Sequence, residues 1–294
     1  MSFPAFIFFA HGWAGAVLMM LAGAWLGRLL GRMIRHMAQA AGFPSSHYYS
    51  LENGGSWVTR LPVVGHFARP RGTRSRRALG IELLAGLAFL ACWELFPPAK
   101  AACGGLFVLA LIGASTIDLD HMIIPDVFTI GLALAGVALS AFVPALHGIG
   151  ANSSFGGARS FAAAVLGLAI GSSLALWIAV IGEWILDKEV LGFGDVKFLG
   201  AIGAFCGWQG SVFSLFGGAL VGAVALVAAD IHRRIFGGSA VQLFHVESSQ
   251  GEEGKLGWGA HFPFGPMLAV AAAAYFLALH PVVDRFLSCY SAFF

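Results

Sequence analysis

What most constrains this chain is a succession of long apolar runs, nearly free of charge and close to the roughly 20 residues that cross a bilayer. Backbone N–H and C=O groups in lipid have no water to bond, so each crossing run must satisfy them within its own helix. The runs extend from about Trp13 to Met33, Leu79 to Phe96, Ala101 to Ile117, Val127 to Leu146 and Phe161 to Gly182. The stretch from Val196 to Ala229 is too long for one ordinary span, and Gly207-Trp208-Gln209-Gly210 breaks it near the middle, so it is read as two. A last helix is expected from about Phe262 to His280. These runs define an all-α, polytopic membrane protein with about eight transmembrane helices. Composition agrees, with 58% of residues hydrophobic and 11% charged. A soluble domain carries about 25% charged residues, so there is too little polar surface here to cover a water-facing globule. The 40 glycines fit helices that approach closely in lipid. The bilayer is the expected surrounding, and no nucleic-acid partner is expected.

Three segments follow. Residues 1–34 hold the first span, which lacks a basic n-region and runs on into Arg28, Arg32 and Arg35, as a retained span does and a cleaved signal peptide does not. Residues 35–78 form a basic loop with Arg60, Arg69, Arg71, Arg74, Arg76 and Arg77 against the single acid Glu52. Residues 79–285 hold the remaining spans. Positive-inside bias places the basic loop in the cytoplasm and the N-terminus outside. Threading onward puts Asp118 to Asp126 inside, Ala145 to Ser160 outside and Glu183 to Asp195 inside. Two spans between Val196 and Ala229 then keep Arg233, Arg234 and Lys255 inside as well. The cysteines Cys92, Cys103, Cys206 and Cys289 form no CxxC pair, and all lie in or beside apolar runs. They read as small hydrophobic residues of packed helices.

Two polar segments reach the same membrane face in this topology. The first is Ile117-Asp118-Leu119-Asp120-His121-Met122-Ile123-Ile124-Pro125-Asp126, which joins two spans. The second, Gly192-Phe193-Gly194-Asp195-Val196-Lys197, opens another. Ionisable residues beside an apolar helix point to function. Two carboxylates that share a site hold one proton between them and serve together as base and acid, hydrolysing a peptide bond without a metal. Glycines beside Asp195 let another backbone come close. Pro125 suits the first turn of a helix, which places Asp126 near the positive end of that dipole. Asp120 and Asp126 compete with Asp118 for the role, and the end of the apolar helix favours Asp118. Asp120 and His121 read as solvated neighbours. Lys197 either tunes a carboxylate or holds the loop, or is an interfacial cation. Glu82, about one turn into a span, should face protein or a polar cavity. Glu183, Asp187 and Glu189 read as a solvated loop that, with Asp120, can steer a basic ligand.

Asp118, five residues and then Ile124-Pro125-Asp126 resembles the first catalytic motif of the type IV prepilin peptidases. Gly192-x-Gly194-Asp195-x-Lys197 resembles their second, the GxGD signature shared with presenilin-like proteases. Phe262-Pro263-Phe264-Gly265-Pro266 is similar to the family's motif at the head of the last span, and Arg60-Leu61-Pro62 and Glu82-Leu83-Leu84 resemble its N-terminal region more faintly. The resemblance implies Asp118 and Asp195 as the catalytic pair, supported by Gly192, Gly194, Lys197, Pro125 and Asp126. Pro263, Gly265 and Pro266 would shape the start of the last helix. It implies an aspartic endopeptidase of the bacterial inner membrane, acting at the cytoplasmic face on single-span prepilins or pseudopilins of type IV pili or type II secretion. The basic leader would be removed just before the hydrophobic segment. Residues 79–285 would form the peptidase domain. Proteolysis needs no cofactor; S-adenosylmethionine, with Glu82 as a candidate contact, is implied if N-methylation is retained. Family members carry two CxxC pairs in the first cytoplasmic loop for zinc, and residues 35–78 contain no cysteine, so zinc is not expected. Asn152 to Arg159 reads as an insertion. The readings weighed against this one are a presenilin-type protease with other substrates, and a non-proteolytic transporter or assembly scaffold.

Overall fold

The computed structural model describes residues 12–40, 61–63, 65, 76–150, 153, 155–187, 190–236 and 263–291. Among them every regular element is helical. Six helices are long and apolar enough to cross a membrane: Trp13–Ala40, Arg77–Leu95, Pro98–His121, Gly156–Leu186, Phe193–His232 and Gly265–Phe286, with Val127–Phe142 a shorter apolar helix. The chain is a polytopic, all-α membrane protein. Several helices outrun the apolar windows that announce them. α1 (Trp13–Ala40) continues through Arg35, and α5 (Gly156–Leu186) exceeds its window at both ends. Apolar periodicity marks only the part in lipid, whereas the backbone hydrogen-bond ladder continues past it.

Two compact units divide the chain, Met1–Gly113 and Ala114–Phe294. In the first, α1 packs on α2 (Arg76–Leu95) through small residues. A Cβ added to Gly27 would stand 2.7 Å from Ala85 Cβ, so the backbones meet closely there. Among the described residues of this unit three charged side chains are buried, Arg28, Glu82 and Lys100, and the first two meet the Leu61–Val63 segment. Arg28 Nη1 donates to the Leu61 carbonyl at 2.6 Å, and the Val63 N–H donates to Glu82 Oε2 at 2.6 Å. Together they hold the Leu61-Pro62-Val63 turn, in which Val63 is left-handed (φ 57). Glu82 faces protein, as its place one turn into the span requires. Most of the basic loop, including Arg60, lies outside the described residues. Cys92, Cys103 and Cys206 are buried and form no disulfide, packed as small side chains among the helices.

The second unit takes in the end of α3 (Pro98–His121) and the elements after it. A π-helical turn, Val127–Gly131, leads into α4 (Leu132–Phe142), and α5 and α6 (Phe193–Phe236) follow. α7 (Gly265–Ala274), a second π-helical turn (Tyr275–Leu279) and α8 (His280–Ser291) close the chain. α6 is a hairpin. Gly207 leaves helical geometry at φ 71 and ψ 179, a left-handed φ that glycine adopts without strain. A Cβ on Gly203 would collide with Ser211 Oγ, although residues eight apart in a continuous helix stand about 12 Å from each other. The break expected at Gly207-Trp208-Gln209-Gly210 is therefore a fold-back, with arms 193–206 and 208–236. The first arm is short, about 21 Å against a hydrocarbon core of about 30 Å.

α5 fixes where that short arm lies. Ser160, Ala164, Gly167, Gly171 and Ala175 form a buried stripe of small residues along it. A Cβ on Gly167 would collide with the Gly203 carbonyl, and one on Gly171 would stand 2.7 Å from the Leu199 carbonyl. The two helices thus run antiparallel at backbone contact. Ser211 Oγ donates to the Gly167 carbonyl at 3.3 Å, a polar tie of the kind that joins helices in lipid.

Candidate active site

Asp118 sits in the last turn of α3 with 5% of its surface exposed. The helix stops directly after it. Met122 turns left-handed (φ 53), and its N–H bonds the Asp118 carbonyl at 2.8 Å. The Asp118 side chain points at the start of α7, where Oδ2 accepts the Gly265 N–H at 3.0 Å. The first N–H groups of a helix have no partner within it, and their dipoles favour a carboxylate. Pro266, at the start of α7, carries no N–H, and its fixed φ suits that position. A Cβ on Gly265 would stand 2.6 Å from Asp118 Oδ2, so only glycine fits. Pro263, Gly265 and Pro266 do more than shape the start of the last helix: Gly265 touches the acid itself. Pro263 is buried beside it, and Phe262 lies outside the described residues.

Asp195 occupies the first turn of α6 and is half-buried. The Gly192 backbone hydrogen-bonds its carboxyl, and the Asp118 carboxylate is near enough for its charge to act on it. A Cβ on Gly192 would stand 3.6 Å from Asp195 Oδ2, and one on Gly194 3.6 Å from Ile124 Cβ, both ordinary contact distances. Neither glycine is demanded by packing within the chain. Their missing side chains leave room beside Asp195 that the described residues do not fill.

Ile124 joins the parts. It is buried, faces Gly194, and stands 3.0 Å from where a Gly265 Cβ would be. One aliphatic side chain from the first motif therefore lies between the second and the third. Its role was not read from sequence, where it stood only as a letter of the Ile-Pro-Asp ending. Pro125 precedes Asp126, which begins the π-helical turn. Lys197 Nζ bonds Asp126 Oδ1 at 2.8 Å and lies over the Phe193 ring at 5.1 Å. The Lys197 hydrogen bond and charge hold the Asp126 carboxyl below the usual carboxylate range, with a weaker hydrogen bond from the Thr129 hydroxyl. Asp126 is accordingly anionic through the neutral range and engaged in an ion pair. His121 and Asp120 are partly buried in the last turn of α3 rather than loop residues in open water. Glu183 and Asp187 are exposed beyond α5's buried stripe, and Glu189 lies outside the described residues. Among the described residues, no three His, Cys, Asp or Glu side chains gather as metal ligands do.

The arrangement brings two carboxylates from helices far apart in sequence to one end of the second unit, beside open backbone. Comparison with known proteins points the same way. The model of the type IV leader peptidase family matches residues 105–227, which include Asp118 and Asp195. A prepilin leader peptidase/N-methyltransferase of Klebsiella pneumoniae is 30% identical over 202 residues, covering 64% of this chain and 81% of that protein. Proteins of the same description from Myxococcus xanthus (strain DK1622) and Burkholderia pseudomallei (strain K96243) are 28% and 30% identical. Those alignments cover 72% and 73% of this chain, and 64% and 60% of the relatives. No solved structure matches the chain.

Proposed function

Because this chain belongs to the type IV leader peptidase family, we propose that it is a membrane-embedded aspartic endopeptidase that removes the basic leader of type IV prepilin or pseudopilin-like proteins. Asp118 and Asp195 are its catalytic pair. One observation carries the assignment of the pair: the Gly265 N–H holds Asp118, 147 residues away along the chain, within electrostatic reach of Asp195. All three motifs therefore meet at one point.

The chemistry follows from two acids sharing a proton. The ionised carboxyl takes a proton from water as the oxygen attacks the scissile carbonyl carbon; the protonated carboxyl gives its proton to the carbonyl oxygen. Collapse of the tetrahedral species breaks the C–N bond and returns a proton to the leaving amine, leaving an acid and an amine. The Gly265 N–H fixes the orientation of Asp118. The unfilled space at Gly192 and Gly194 suits an extended substrate backbone, so the substrate helix unwinds at the cut. Arginine distribution supports a cytoplasmic position for this end of the molecule, and the family supports the bacterial inner membrane, at whose cytoplasmic face a basic leader resides.

Methylation of the new amine would draw on S-adenosylmethionine, which supplies an activated methyl group, and the relatives' names include that activity. Glu82 is wholly buried and its Oε2 accepts the Val63 N–H, so it holds the Leu61–Val63 turn rather than standing open to a cofactor. Residues 35–78 offer zinc no cysteine ligand.

The test is co-expression of a prepilin-like substrate with wild type, Asp118→Asn and Asp195→Asn. Each substitution should lower leader removal by at least about 100-fold, the scale of a lost general acid or base, while membrane insertion is unchanged. Full processing by both variants would refute the pair. The mass of the mature N-terminus reports whether a methyl group is added.

A further inference from the structure

Lys197 is two residues past Asp195, and Asp126 eight residues past Asp118. Their side chains meet at 2.8 Å, outside the pair of catalytic acids. Residues two apart on a helix point to nearly opposite sides, so Lys197 and Asp195 leave α6 in different directions. One turn back, the exposed Phe193 ring lies under the ammonium, a cation–π contact that keeps the lysine outward. The lysine is therefore turned toward Asp126. Were it turned to Asp195 instead, it would bind that carboxylate as a fixed anion and remove it from proton sharing.

We propose that Lys197 and Asp126 form an electrostatic latch that sets the spacing of the two catalytic carboxylates. The proposal rests on the peptidase reading above. Two carboxylates brought together from separate helices repel whenever both ionise, and something must hold their carriers against that force. Ile124 contributes packing and Gly265 fixes one acid from α7. The latch is a charged link between the segment after α3 and the start of α6. Both partners act through the segments that carry the acids, and are positioning residues. An exposed pair adds little to overall stability, so its effect should be read in rate rather than in folding.

A kinetic comparison on a single-span substrate with a basic leader tests the latch. Asp126→Asn and Lys197→Met should each lower kcat about tenfold with KM nearly unchanged, since misplacing reacting groups by a fraction of an ångström costs that much. The combined Asp126→Asn/Lys197→Met protein should be no worse than either single variant, because one link has been removed in every case. The conservative pair Asp126→Glu/Lys197→Arg and the swap Asp126→Lys/Lys197→Asp should recover activity. Failure of both to recover overturns the latch. So does a Lys197→Met effect confined to KM with Asp126→Asn behaving as wild type, which would make Lys197 a substrate contact. Wild-type kinetics in both single variants also overturns it. Wild type, Asp118→Asn and Asp195→Asn run beside them: if wild type does not cleave, the peptidase reading has failed; if both Asn variants still cleave, the acid pair has; if wild type cleaves, the Asn variants are dead and the latch variants are normal, only the latch has.

Discussion

At the scale of single residues, Gly265 is the clearest case of a side chain forbidden by chemistry rather than by packing alone. Its N–H is given to a carboxylate, and the missing Cβ lets that carboxylate approach. Gly265→Ala should therefore move Asp118 by some tenths of an ångström and lengthen the hydrogen bond. Cleavage should drop on the order of 10- to 100-fold, the usual consequence of displacing a reacting group. A thermal melt in detergent separates this from misfolding: a rate near wild type would show that Asp118 tolerates the displacement. The sequence supplied the identities of these residues but not their contacts. Asp118 was separable from Asp120 and Asp126 by its place at a helix end and by motif resemblance. That Gly265 would donate to it, or that Lys197 would choose Asp126, depends on how distant segments pack, and no local pattern encodes such a choice.

At the scale of helices, hydropathy marks which stretches cross the membrane because every crossing helix must be apolar in lipid. It says little about which helix touches which. Lipid and protein are both apolar neighbours, so α5 and the first arm of α6 read alike on every face. What distinguishes the contact face is size: Gly167, Gly171 and Gly203 let the backbones meet. The fold-back at Gly207 was legible as a break, since glycine and a polar residue interrupt an apolar run, yet a kink and a hairpin carry the same local signal. Placement of Asp195 follows from the seam. Gly203→Ala should wedge α5 from α6 and destabilise the protein by about 1–3 kcal/mol, as overpacking does, with activity falling as well. Gly80→Ala provides the contrast, because a Cβ there meets nothing within 4 Å and alanine favours a helix. Equal melting temperatures for the two variants would show that the seam yields without penalty.

At the scale of the whole molecule, orientation was drawn from arginine distribution, and it can be set against where the helices of the second unit begin and end. α3 ends beside Asp118, α6 begins beside Asp195 and α7 begins at Gly265, so these three ends share one side of that unit. The turns around Phe155 and Gly207 lie one helix length away, because α5 and the first arm of α6 run antiparallel between them. If the basic loop is cytoplasmic, a cysteine at Asp187 or Met122 should react with a membrane-impermeant thiol reagent only when the cytoplasmic face is open. One at Phe155, 83% exposed, should react from the opposite face of intact cells. Cys92, Cys103 and Cys206 are buried, and Cys289 is replaced by serine in the protein used for labelling. Labelling of all three introduced positions from one side would overturn the threading, and with it the placement of the acids where a basic leader can reach them. Opposite-sided labelling would leave the end that carries Asp118 and Asp195 facing the compartment in which basic leaders are made.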